Sequence, residues 1–288
     1  VRITYFGVRG SCPCSSDQHR RYGGNTSCVL VEVPGEPPLI LDLGTGLRSL
    51  GNYLNVPLQA AGIPLEANVF LTHLHYDHVL GLPFFSPMRD PGAVLEIYGP
   101  SQDGQEGESL HDAMAGMVKP PFFPIHMADF RGELRFHDLG DGDDVTLGSI
   151  KVKVRAVPHI GHTLGFRVEA DGRSVAYISD HQAPVDRQTV DRGVMDLCDG
   201  ADVVIHDAQY TEDEFVLFSD WGHSTPAYAV HVASVAGARK LHLFHHDPVH
   251  VDKVIDQILR QSRRMASKLP LSEVIASAEG MSFDLGAE

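Results

Sequence analysis

The run His73-Leu74-His75-Tyr76-Asp77-His78 narrows the choice of fold more than any other feature of this chain. It sets four side chains of metal-ligand type within six residues, between the apolar residues 69–71 and the apolar stretch 79–85. Imidazole nitrogens and carboxylate oxygens are ordinary ligands of Zn²⁺ and similar divalent ions. Side chains two apart in an extended segment share a face, so His73 and His75 point the same way. Asp77 and His78 can then turn toward a second ion as the chain bends into a helix. Such a run cannot fill two coordination spheres alone, so further ligands are expected at other strand ends. His159 after 152–157, Asp180 after 174–178 and His245 after 241–244 have that placing. A carboxylate such as Asp180 can bridge two ions with its two oxygens.

The remaining pattern is mixed α/β. Strands are expected at 2–6, 28–33, 39–41, 69–71, 94–98, 152–157, 203–205 and 241–244, with short closing strands at 273–276 and 281–284. Residues 166–170 and 174–178 read as a hairpin around Asp171-Gly172, a strong turn signal. Asp42-Leu43-Gly44-Thr45-Gly46 leads into a helix at 47–53. Thr225-Pro226 reads as an N-cap with proline at the first helical position, opening a helix to about 236. A last helix is expected over 251–268, its basic end suiting the macrodipole. Residues 101–130, Gly-, Gln- and Glu-rich and then Pro120-Pro121-Phe122-Phe123-Pro124, read as an inserted helix and loop of the kind that covers active sites. Interleaved hairpins and helices suit two sheets with helices outside better than one doubly wound sheet.

These motifs resemble the metallo-β-lactamase superfamily, and within it the phosphodiesterase branch that includes ribonuclease Z and the cyclic phosphodiesterase of phosphonate breakdown. The resemblance spans nearly the whole chain, residues 1–288 as one domain. It takes in Gly7-Val8-Arg9-Gly10-Ser11, Gly23-Gly24-Asn25-Thr26-Ser27, Leu41-Asp42-Leu43-Gly44-Thr45-Gly46, the 73–78 run, Gly222-His223-Ser224-Thr225 and Phe244-His245-His246-Asp247. The 73–78 run is specific to the superfamily, and the 222–225 stretch more specific to the phosphodiesterase branch. The resemblance implies a four-layer αββα sandwich with two divalent ions at one edge. It implies His73, His75 and His159 on the first ion, Asp77, His78 and His245 on the second, and Asp180 between them. His162 competes with His159, and His246 with His245; in each pair the residue directly after the strand fits the family position better. Zn²⁺ is the default metal, and Mn²⁺ or Fe²⁺ accepts the same donors.

Two ions so placed make a water nucleophilic near neutral pH and clamp the attacking and leaving oxygens of a phosphodiester. Asp77 is placed to bind metal and orient that water. His223, just before a helix, is expected to stabilise the transition state or protonate the leaving oxygen. Asp207, ending 203–205, is expected either to orient a ligand histidine or to make a strand-end hydrogen bond. His181 lines the pocket or faces solvent. Arg9, Asn25 and Thr26 either contact a phosphate or serve their Gly-rich turns.

Net charge refines the substrate. At −15 the chain is too acidic for a broad nucleic-acid surface, which rests on Lys and Arg. Lys119 is the one basic residue of 101–130, so the arm of a transfer-RNA endonuclease is not evident. A small or cyclic phosphodiester, such as a cyclic nucleotide, fits best. An ester, thioester or lactone hydrolase and a di-iron oxidoreductase are the alternatives on the same ligands. Cys12, Cys14, Cys28 and Cys198 show no disulfide framework. With neither leader nor apolar span evident, a cytoplasmic protein without membrane association is expected, and a homodimer by base rate.

Overall fold

The computed structural model describes residues 1–102 and 109–286, so 103–108 of the inserted stretch and 287–288 lie outside the described residues. The chain lays down β1 (Arg2–Gly7), β2 (Cys28–Glu32), β3 (Leu39–Leu41), α1 (Leu47–Ala61), β4 (Glu66–Phe70), α2 (Tyr76–Val79), β5 (Val94–Pro100), α3 (Leu110–Met117) and β6 (Glu133–Leu139). It continues with β7 (Val145–Leu147), β8 (Ile150–Ala156), β9 (Leu164–Ala170), β10 (Arg173–Ile178), α4 (Arg192–Cys198), β11 (Val203–Asp207), α5 (Glu212–Phe218), α6 (Pro226–Val235), β12 (Lys240–Phe244), α7 (Asp252–Ala266), β13 (Glu273–Ala276) and β14 (Ser282–Asp284). One sheet runs β14-β1-β2-β3-β4-β5-β6 and the other β13-β12-β11-β10-β9-β8-β7.

Strand alternation sorts the core into layers. Val29 and Val31 of β2, Leu39 and Leu41 of β3, and Val203 and Ile205 of β11 turn into one cluster between the sheets. Their in-between neighbours Leu30 and Ile40 face outward against Leu47, Leu50 and Leu54 of α1 and Leu110 and Met114 of α3. On the other side Val204 and Leu241 meet Val194 and Leu197 of α4, Ala229 and Ala233 of α6 and Ile258 of α7. These are the four layers of an αββα sandwich. Each fully buried Val, Leu, Ile or Phe contributes roughly 1.5–3 kcal/mol of transfer free energy to holding them together.

The hairpin lies where its turn residues put it: Asp171 and Gly172 both take positive φ, at 51° and 68°, as a two-residue type I′ turn requires. Thr225 caps α6 by accepting from the Tyr228 N–H, with Pro226 at the first turn. Two expectations need correction. The helix expected at 47–53 runs on to Ala61, through Pro57, because Leu54 stays in the apolar stripe and Gly62 in the left-handed region closes the end on Leu58 and Gln59 carbonyls. β6 and β7 were not expected at all. Both are edge strands with little buried apolar surface, so their sequences lack a strong strand pattern.

Connectivity decides where chemistry gathers. β3 pairs parallel with β4, and β10, β11 and β12 pair parallel in turn. Parallel strands end together, and the crevice beyond their carboxyl ends is where such sheets bind ligands. Among the described residues no helix is long and apolar enough to cross a membrane.

Candidate metal centre

Five acidic or histidine side chains mark those carboxyl ends: Asp42 after β3, His73 beyond β4, Asp180 beyond β10, Asp207 closing β11 and His245 after β12. Asp42 and His245 adopt positive φ, 61° and 57°, which bends the chain sharply as it leaves each strand. His75, Asp77 and His78 follow His73 into α2, and His159 stands beyond β8.

The seven residues expected as ligands meet in two clusters. His73, His75 and His159 form one, and Asp77, His78, Asp180 and His245 the other, with the donor atoms of each all within 4.8 Å of one another. In the first, His75 Nδ1 lies 2.8 Å from His73 Nε2 and 3.3 Å from His159 Nε2. Asp180 joins the two: Oδ1 lies 3.1 Å from His78 Nε2, while Oδ2 lies 3.4 Å from His245 Nε2, 3.7 Å from His159 Nε2 and 3.9 Å from His73 Nε2. Asp77 Oδ2 is held by the Ser11 N–H at 2.7 Å and lies 3.1 Å from His245 Nε2. His162 is exposed, and His246 is spent on the Ser277 carbonyl 3.0 Å away.

The rings are aimed from behind. His159 Nδ1 donates to the Gly222 carbonyl at 2.6 Å, and His78 Nδ1 meets Asp42 Oδ2 at 2.8 Å. A ring whose Nδ1–H is so occupied turns a lone pair on Nε2 inward, the usual arrangement behind a metal-bound histidine. Asp42 is the residue that sequence reasoning passed over. Its carboxylate also takes Thr72 N–H at 2.8 Å and Tyr177 Oη at 2.9 Å, tying the 73–78 run to both sheets. An aspartate directly after an apolar strand was the available signal.

The donor set fits divalent cations. Burial, with neighbouring imidazoles adding to it, holds His73 well below its ordinary pKa, and burial lowers His75 and His159 too, so these rings are neutral with lone pairs available. Around the carboxylates the balance reverses. Burial opposes the charge on His245, but Asp180 and Asp77 push it up to about 9. Burial likewise works against His78, and Asp180, Asp77 and Asp42 still raise it well above the usual range. That is a site of strong negative potential. His78 Nε2 and Asp180 Oδ1 are buried without a hydrogen-bond partner although they face each other, which is how two ligands of one ion stand.

His223 sits beside the clusters, and of the two roles expected of Asp207 the structure shows the strand-end hydrogen bond. Asp207 orients none of the seven clustered residues. Its Oδ2 meets His223 Nδ1 at 2.9 Å, while the same carboxylate accepts from the His181 and Gln209 N–H groups. His223 Nδ1 is 3.8 Å from Asp180 Oδ2 and His223 also completes two further donor triads, with His159 and Asp180 and with Asp207 and His245. Its Nδ1 is already committed to Asp207, leaving Nε2 for the pocket the ring lines. That pocket, about 360 Å³, is also lined by Ser11, His75, Tyr76, Asp77 and Asp180.

Other expectations resolve into structure. His181 neither lines the pocket nor faces solvent; it is buried with Nδ1 3.0 Å from His206 Nε2. Arg9 is buried and donates to the carbonyls of Gly23, Asp247 and His250. Asn25 bonds Glu279, and Thr26 bonds Thr45. Arg9 and Asn25 thus bind protein groups around the Gly-rich turns, where a phosphate contact had been one expectation. Among the described residues no cysteine joins a donor cluster, and all four are free thiols.

Comparison with known proteins agrees with this geometry. Residues 39–246 match the family model described as a beta-lactamase superfamily domain. The chain is 29% identical over 255 residues to an uncharacterised protein of Mycobacterium tuberculosis, Rv1339, covering 86% of this chain and 81% of that one. It is 28% identical over 292 residues to ribonuclease Z of Natronomonas pharaonis, covering 85% and 86%. The crystal structure of YhfI from Bacillus subtilis, a metallo-β-lactamase fold protein, superposes with a TM-score of 0.70 over 98% of both chains at 19% identity.

Proposed function

The chain belongs to the beta-lactamase superfamily, and on that premise we propose that it is a metal-dependent phosphodiesterase acting on a small or cyclic phosphodiester. The observation that carries the reading is the convergence of both donor clusters on Asp180, with the His223–Asp207 pair beside them on one pocket. His73, His75 and His159 would hold one divalent ion, and Asp77, His78 and His245 the other, with Asp180 touching both. Zn²⁺ is the first candidate, with Mn²⁺ or Fe²⁺ alternatives for the same nitrogen and carboxylate donors. Ions bound there supply Lewis acidity, lowering the pKa of water and drawing charge from phosphoryl oxygens.

The chain's own residues complete the reaction. Hydrolysis forms one P–O bond from water, breaks the P–O bond to the leaving alcohol, and puts a proton on the leaving oxygen. Asp77, fixed by the Ser11 N–H, is placed to orient the attacking water. Asp207 fixes the His223 ring through Nδ1, and in the imidazolium form the ring's Nε2–H is the proton donor to the leaving oxygen. A relative named as a ribonuclease, an enzyme that cleaves RNA and hence phosphodiesters, supports the choice over carboxylic ester or thioester.

The test is hydrolysis of bis(p-nitrophenyl) phosphate, with metal content measured on the same preparation. Turnover lost on chelation and restored by Zn²⁺ or Mn²⁺ is expected. His223→Ala should lower turnover about 10²-fold or more and leave metal content near that of the wild type. Equal loss of both would make His223 a ligand and remove its proton-donor role. Two bound ions without turnover would shift the reaction to another ester class.

A further inference from the structure

The metal pocket opens into a second cavity of about 710 Å³, and the two share Ser11, Tyr76 and Asp77. One wall comes from α2 and the segment after it, with Tyr76, Leu80 and Phe84. The other comes from the stretch that follows α3, with Phe122 and Phe123, and from Met117 at the end of α3. Phe84 and Phe123 meet edge to face, ring centroids 5.9 Å apart. Tyr76 is 70% exposed, Phe84 55% and Phe122 78%. A folded chain rarely leaves so many large apolar groups together in water without a use for them.

The polarity of this groove is graded. Ser11, Thr26 and Asp77 lie among its lining, and Ser11 and Asp77 also line the metal pocket; the α3 side is apolar, and among the described residues no Lys or Arg lines it. A nucleic-acid strand extending from the metals would place further phosphates along the groove, and each needs a cation. Its volume is that of a small-ligand site. Resting on the phosphodiesterase reading, we infer that this groove is the specificity subsite, and that it takes a single uncharged, apolar alkyl or aryl group esterified to the reacting phosphate. Phe122 and Leu80 are specificity residues of that subsite.

Alkylphosphonates test this by calorimetric titration into the metal-loaded protein, the phosphonate anchoring at the metals and the chain reaching the groove. A fully buried methylene strengthens binding about fourfold. In an open groove the dissociation constant is expected to fall at least about tenfold from methyl- to octylphosphonate. Phe122→Ser should flatten that dependence, and Leu80→Ser should do so independently. The Phe122 side chain is largely in solvent, so its variant should fold as the wild type does, which thermal melting checks.

A flat dependence on chain length overturns the inference. So does a steep one that neither variant changes, because the chain then binds elsewhere. Oligothymidylates that bind tighter with each added phosphate overturn it too. These outcomes separate from failure of the phosphodiesterase reading. A chain-length effect without hydrolysis of bis(p-nitrophenyl) phosphate keeps the subsite and discards the reaction, whereas hydrolysis without a chain-length effect does the reverse.

Discussion

At the scale of single residues, the distinction that matters is between groups that would hold metal and groups that aim them. Asp207 is of the second kind. It contacts His223 Nδ1 at 2.9 Å and none of the seven clustered residues within hydrogen-bond range. Asp207→Asn is therefore expected to leave metal content unchanged while lowering turnover on bis(p-nitrophenyl) phosphate by about 10²-fold or more, as loss of an oriented acid does. The amide retains an oxygen for the Gln209 N–H but takes the acceptor from the buried His181 N–H, so stability should fall by about 1–3 kcal/mol without loss of the fold. Parallel loss of metal and activity would show that Asp207 supports the clusters themselves. The seven clustered residues were legible in the sequence because ligand chemistry constrains residue type at each position. Asp42 and Asp207 were harder to place. Their partners, Tyr177 and His78 for one and His223 for the other, lie 135, 36 and 16 residues away and meet only through tertiary pairing.

Among the elements, α6 links stability to the site. Its N-cap Thr225 follows Gly222-His223-Ser224 directly, so the helix cap stands two residues after His223. The Thr225 Oγ1 accepts from Tyr228 N–H at 3.2 Å, and Thr225→Ala should cost about 1 kcal/mol in urea unfolding. Thr225→Ser should recover most of it, since the hydroxyl remains. A loss with alanine no larger than with serine would assign the stabilisation to Pro226 and packing alone. This cap was readable because its signal is local, a threonine before a proline. The hairpin at Asp171-Gly172 was readable for the same reason. The length of α1 was not, since Pro57 signals an end that the continuing apolar stripe overrides, and edge strands β6 and β7 lack the buried alternation that would announce them.

For the whole molecule, the burial of titratable groups between the sheets sets a dependence on pH. His242 in β12 is fully buried, three residues before the clustered His245, with Nδ1 2.6 Å from Tyr5 Oη across the sandwich. Burial, with Lys240 adding to it, pushes His242 down to about 3. In the unfolded chain a histidine titrates near 6.5. Between those values the unfolded chain binds one more proton than the folded one, so the contribution is complete above about pH 6.5 and is lost as pH falls toward 3. One such group tilts unfolding free energy by up to about 1.4 kcal/mol per pH unit. His242→Gln removes the proton site and keeps a group able to bond Tyr5. Its stability should therefore fall less steeply than the wild type's between pH 6 and pH 4, whatever its absolute value. Protonation at the donor clusters contributes alike in both proteins and cancels in the comparison. Identical slopes in urea titrations across that range would mean that His242 gains its proton without unfolding, and that the layer between the sheets admits charge.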